Sequence, residues 1–299
     1  MYDTILVPTD GSDHAVRAAA HARALARRFD ATVHVLAVVD VPSAAGPLDA
    51  GSVDESFLDR LEAESDRHVD AITATFAETD PLRRAVRRGE PTAAILAYAA
   101  EVGADLLAMG THGRSGITRY VAGSVTERVL RRAPAPVLTV RATEQSRETD
   151  YDEILVPTDG SEAATAAVEH ALAVAERTGA RVHAVNVVSL ASVDVDPEYS
   201  VPSDLLDHLE ARGEAATEAI AGRAREAGLE AVTAIRNGVP DRELLAYADS
   251  EGIDLIAMAT AGRTGLSRFL LGSTAERVVR HAEVPVLAVN VRDRVESEE

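Results

Sequence analysis

Two stretches of this chain combine glycine with hydroxyl residues at a spacing suited to holding a phosphate. The first reads Gly110-Thr111-His112-Gly113, then nine residues, then Gly123-Ser124. The second reads Ala259-Thr260-Ala261-Gly262, then nine residues, then Gly272-Ser273. Glycine allows positive φ and lets a backbone approach a ligand with no Cβ in the way. A Gly-Ser pair that opens a helix leaves the first N–H groups aimed outward, and the helix dipole favours an anion there. Ser124 is placed either to cap that helix or to donate its hydroxyl to a phosphate. The competing reading gives the glycines a turn role and Ser124 a cap role only.

The missing residue types narrow the chemistry. The chain has no cysteine, which excludes disulfides, thiolate metal sites and a cysteine nucleophile. It has no lysine either, so all 30 basic residues are arginine. A P-loop lysine and a Schiff-base lysine are thereby excluded. A phosphate site here must use backbone N–H groups, hydroxyls and arginine. Arg114 and Arg119 recur as Arg263 and Arg268 beside the loops. His112 is replaced by Ala261 in the second stretch, which argues against a required general base there. His21 and His170, and His34 and His183, also recur, and read as packing or surface histidines. No histidine–carboxylate spacing resembles a metal site.

The net charge of −19 disfavours nucleic acid and anionic membranes as partners. A lysine-free, carboxylate-rich chain suits molar salt, where the Debye length falls to about 3 Å and self-repulsion is screened. No apolar run reaches the length of a membrane span. The first strand is expected near Tyr2, which leaves no room for a signal peptide, so the expected location is cytoplasmic.

The elements that position these residues come in two sets. Tyr2–Ser12 reads YDTILVPTDGS and Tyr151–Ser161 reads YDEILVPTDGS, an offset of 149. Gly89 and Gly238, Pro91 and Pro240, Asp105 and Asp254, and Pro136 and Pro285 keep that offset. The same elements are therefore expected in the same order twice. Within the first copy, strands are expected at 4–7, 33–39, 82–87, 105–109 and 136–140. Helices are expected over 14–29, 54–78, 91–101 and 124–132, with Ser12 as an N-cap. Strands that alternate with helices give an α/β fold with a parallel sheet covered on both faces. The domain division is 1–141, a linker at 142–150, 151–292, and an acidic tail at 293–299. Such sheets bind ligands beyond the C-terminal ends of their strands, where both the Asp-Gly-Ser turn and the glycine loop fall.

The motifs Val-Pro-Thr-Asp-Gly-Ser, Met-Gly-Thr-His-Gly-Arg and Gly-Ser-Val-Thr-Glu-Arg-Val resemble those of the universal stress protein family, in the family's order and spacing. The resemblance covers about 2–140 and 151–291. It implies, for each copy, a doubly wound five-stranded parallel sheet of order 3-2-1-4-5. It also implies ATP binding, and pairing through the fifth strands, within the chain or as a homodimer. In the first copy Pro8, Thr9 and Asp10 would sit against ribose and adenine, and the backbone of Val38 would face adenine. Met109 and Gly110 would lie by the ribose and α-phosphate. Gly113, Gly123, Ser124 and Val125 would hold the phosphates, and Arg114 could neutralise them. Asp10 has a competing role as an Asx-turn residue.

In the second copy Pro157, Thr158, Asp159, Val187, Met258, Gly262, Gly272 and Ser273 match, and Thr274 stands in the place of Val125 as a candidate site residue. Ala259 does not match, because Gly110 stands at that position in the first copy. A Cβ there either strains a positive φ or meets the ligand, so weaker ATP binding is expected of the second copy. Magnesium would ride on the ATP phosphates. The expected function is a nucleotide-dependent stress or signalling module. The alternatives are a slow ATPase and a structural pseudo-dimer without nucleotide.

Overall fold

The computed structural model describes residues 1–41, 55–111, 125–147, 149–189, 203–261 and 271–290. The chain divides into two units, Met1–Thr149 and Asp150–Glu299. Each is treated by itself.

Unit 1 contains β1 (Thr4–Thr9), α1 (Asp13–Phe29), β2 (Thr32–Val39), α2 (Glu55–Thr73), β3 (Leu82–Arg88), α3 (Pro91–Val102), β4 (Leu106–Gly110), α4 (Val125–Arg132) and β5 (Val137–Val140). Its strands are parallel and lie in the order β3-β2-β1-β4-β5. Unit 2 contains β6 (Glu153–Pro157), α5 (Glu162–Thr178), β7 (Arg181–Val188), α6 (Ser203–Glu226), β8 (Ala231–Asn237), α7 (Pro240–Ser250), β9 (Leu255–Ala259), α8 (Ser273–His281) and β10 (Val286–Val289). Its order is β8-β7-β6-β9-β10, again parallel. Both units have the expected strand order.

Chain reversals in the sheet are fixed by local chemistry. The Ser12 hydroxyl accepts from Ala15 N at 3.3 Å and starts α1; Ser161 does the same for Ala164 N in α5 at 3.4 Å. α1 ends at Asp30 in the left-handed region, φ 57°, whereas α5 ends at Gly179, which adopts φ 79° without a Cβ penalty. Pro91 and Pro240 begin α3 and α7, where a missing N–H costs nothing. The Asp105 carboxylate accepts from the N–H groups of Asp3 and Thr4 at 2.9 and 3.0 Å and ties the start of β4 to β1. Asp254 repeats this with Asp152 and Glu153, both at 2.9 Å.

Two expectations need correction. Helix α2 stops at Thr73, not near Glu78. Tight turns follow it, with Thr75 N bonded to Ile72 O and Phe76 N to Thr73 O, and Asp80 then accepts from Ala77 N. Nor is every strand apolar on both faces. β3 reads Leu-Arg-Arg-Ala-Val-Arg-Arg with four exposed arginines, because it is an edge strand. Arg84, Arg87 and Arg88 pair there with Asp70, Glu101 and Glu62.

Candidate nucleotide site

In unit 1 the C-terminal ends of β1 and β2 line one cavity, and the end of β4 is bonded to the start of α4. Thr9 is the last residue of β1, Gly110 the last of β4, and Val125 the first of α4. The Thr9 hydroxyl accepts from Gly11 N at 3.1 Å. Asp10 is exposed, and its Oδ1 accepts from Ser12 N at 3.0 Å, so it does form the Asx turn. A carboxylate offers about four acceptor positions, so this bond does not exhaust it. Gly11 has φ 77°, and a Cβ there would run into the His68 ring. Glycine is needed at that point both for its backbone and for the approach of His68.

A cavity of about 180 Å³ opens here, lined by Thr9, Asp10, Val38 and Asp40, with Ala37 and Val39 of β2 and Leu61, Glu64, Ser65 and His68 of α2. Three carboxylates and one imidazole face it. Carboxylates repel phosphate but accept well from hydroxyl and amino groups. This end therefore suits the neutral, donor-bearing part of a ligand, and an anionic part belongs toward α4. The start of α4 is tied to the end of β4 by the Thr126 hydroxyl, which donates to the Gly110 carbonyl at 2.6 Å. Pro8 and Met109 are buried beneath, Met109 being 4% exposed. Gly113, Arg114, Gly123 and Ser124, with His112 and Arg119, lie outside the described residues.

Gly110 is explained differently from the expectation. Its φ is not positive. A Cβ on it would come within 2.7 Å of the His14 backbone carbon and Cβ and within 2.9 Å of Ala15 N. The glycine lets the first turn of α1 lie directly on the end of β4. Ala259 in unit 2 has no positive φ either, and it stands at the position whose Cβ in unit 1 would meet the neighbouring helix. The residue opposite there is Ala163, smaller than His14.

In unit 2 the turn is reproduced. Gly160 N bonds to the Thr158 hydroxyl at 3.0 Å, and Ser161 N to Asp159 Oδ1 at 2.9 Å. Pro157 and Val187 are half-buried and Met258 is 5% exposed. Gly272 is the N-cap of α8, with Ser273 and Thr274 as its first two residues, and no side chain caps that end. Ser273 thus starts the helix without capping it. Gly272 N bonds back to the Thr260 carbonyl at 2.8 Å. Gly262, Arg263 and Arg268 lie outside the described residues.

The repeat slips by one residue in its long helix. Glu62 on α2 pairs with Arg88 at the end of β3, as Glu210 on α6 pairs with Asn237 at the end of β8. Ser65 thus corresponds to Gly213, Glu64 to Arg212 and His68 to Ala216. The lining supplied by α2 was not anticipated from the sequence. A comparison of the two copies at these positions, with the slip allowed, is the signal that would have found it.

The family model for universal stress proteins matches residues 1–141 and again 150–290. The chain belongs to the universal stress protein family. It is 38% identical over 144 residues to a universal stress protein of Methanocaldococcus jannaschii, covering 46% of this chain and 82% of that one. It is 27% identical over 297 residues to a universal stress protein of Mycolicibacterium smegmatis, covering 96% of this chain and 97% of that one. The crystal structure of a universal stress protein from Archaeoglobus fulgidus shares the fold, with TM-score 0.68, 24% identity and 97% of each chain covered. Among the described residues no helix is long and apolar enough to cross a membrane.

Proposed function

We propose that this universal stress protein binds ATP in unit 1, binds it more weakly in unit 2, and acts as a cytoplasmic nucleotide-dependent stress or signalling module. One observation carries the reading: the cavity at the ends of β1 and β2 is lined by Thr9, Asp10 and Val38. These are positions that the family resemblance assigns to ribose and adenine. Asp10 accepts from the ribose hydroxyls, and Val38 presents its backbone to the base. The acidic lining around them keeps the triphosphate on the far side, over Gly110, Val125 and the N-terminus of α4.

Any magnesium travels with the phosphates. Among the described residues no group of three or more His, Cys, Asp or Glu side chains could hold a metal on its own. ATP orders the ends of the strands against α4 in this reading, and no described side chain is asked to activate a nucleophile.

The test compares ATP with 3′-deoxy-ATP on the parent chain and on Asp10→Ala. A charge-assisted hydrogen bond is worth about 1.5–3 kcal/mol, so the parent should lose affinity for the deoxy analogue by about tenfold or more. Asp10→Ala should weaken ATP equally and no longer distinguish the two. Equal affinities in the parent would remove Asp10 from the ribose.

A further inference from the structure

The residues of unit 2 that correspond to the floor of the unit 1 cavity are different. Ala37 on β2 is 1% exposed and lines the cavity with Ser65 of α2. The residue corresponding to Ala37 is Asn186 on β7, 6% exposed. Its Nδ2 donates to the Thr158 carbonyl at 2.7 Å, at the end of β6 where a ligand would enter. Its Oδ1 lies against α6. A Cβ added to Gly213 would come within 2.5 Å of that oxygen and 3.0 Å of the amide carbon.

The two positions are matched in size. Small Ala37 faces a residue with a side chain, Ser65, and space remains. Larger Asn186 faces Gly213, and the amide fits only because that residue has no Cβ. A buried amide donor must find a partner or cost stability, and the bond to Thr158 gives Nδ2 one without a ligand. The lining changes as well: Asp40, Glu64 and His68 give way to Ser189, Arg212 and Ala216.

We infer that Asn186, seated on Gly213, fills in unit 2 the space that is a ligand cavity in unit 1, and so weakens nucleoside binding there. The identity of the ligand rests on the ATP reading; the filling does not. It also assigns the asymmetry to Asn186 and not to Ala259.

The test has a part without ligand and a part with it. On the full chain, Gly213→Ala is expected to lower Tm by several degrees in the parent and by less than half as much in the Asn186→Ala background. Equal losses in both backgrounds overturn the inference whether or not ATP binds. ATP titration is then expected to give one tight site in the parent, two in Asn186→Ala, and none in Ala37→Asn with Ser65→Gly, which transplants the plug into unit 1. One tight site in a folded Asn186→Ala chain, or undiminished ATP binding in the transplant, overturns the inference as well. If the Tm coupling is present while no variant binds ATP, the filling stands and the ATP reading falls.

Discussion

Thr126 on α4 donates its hydroxyl to the carbonyl of Gly110 at the end of β4, 2.6 Å away, and so links the two sides of the glycine loop. Thr126 is 8% exposed, and the bond is partly buried. Thr126→Val removes the donor and takes this partner from the partly buried Gly110 carbonyl. The expected cost is about 1–3 kcal/mol of unit 1 stability, read as a lower Tm, together with weaker ATP binding. Ala275 occupies the corresponding position in unit 2, so no such bond is lost there. Unchanged Tm and affinity would detach this bond from the site.

Gly110→Ala tests the packing account of that glycine. Its Cβ would press on His14 and Ala15 backbone atoms, and overpacking of this kind costs about 1–3 kcal/mol. Thermal unfolding is expected to show that loss. The reverse change, Ala259→Gly, should leave ATP binding by unit 2 as it was, because a Cβ at the matching position of unit 1 meets a helix. A gain in binding on Ala259→Gly would return the explanation to the ligand.

Acid should weaken unit 1 through His21. This residue is fully buried on α1, and its Nε2 lies 3.0 Å from the Ser146 carbonyl. Burial lowers its pKa to about 4, partly offset by the bond to Ser146 and reinforced by Arg17. The folded state thus holds the imidazole neutral, while the unfolded chain protonates near pH 6.5. The unfolded state binds more protons between those values, so stability falls as pH drops from about 6.5 to about 4. The size is on the order of 3 kcal/mol. Urea unfolding of His21→Gln should show a smaller loss over that window than the parent.

A net charge of −19 with no lysine predicts a strong response to salt. Raising potassium chloride from about 0.1 M to 1 M shortens the Debye length from about 10 Å to about 3 Å and screens the self-repulsion. Tm should rise over that range. A flat or falling Tm would mean that the acidic surface carries no such cost.

The fold was legible because its signals are local and repeated. Apolar β-branched strands, Ser12 and Ser161 caps and the proline starts of α3 and α7 all stand in the chain itself. The turn at Asp10 was legible for the same reason. The lining from α2 was not, since Glu64, Ser65 and His68 read as positions on an amphipathic helix until the sheet brings them over Thr9. The positive φ considered for the Gly110 and Ala259 position is not found, because the sequence does not show which backbone angle that strand end adopts. The one-residue slip between α2 and α6 was hidden by flanking landmarks that keep a constant offset.

The most direct measurement is calorimetric titration of ATP into nucleotide-free protein in molar potassium chloride. The account predicts saturable binding at one tight site per chain, weakened about tenfold or more in Asp10→Ala, with any second site of the parent distinctly weaker than its first. Two equal sites would contradict the asymmetry between the units. No binding to the folded chain would contradict the nucleotide reading itself.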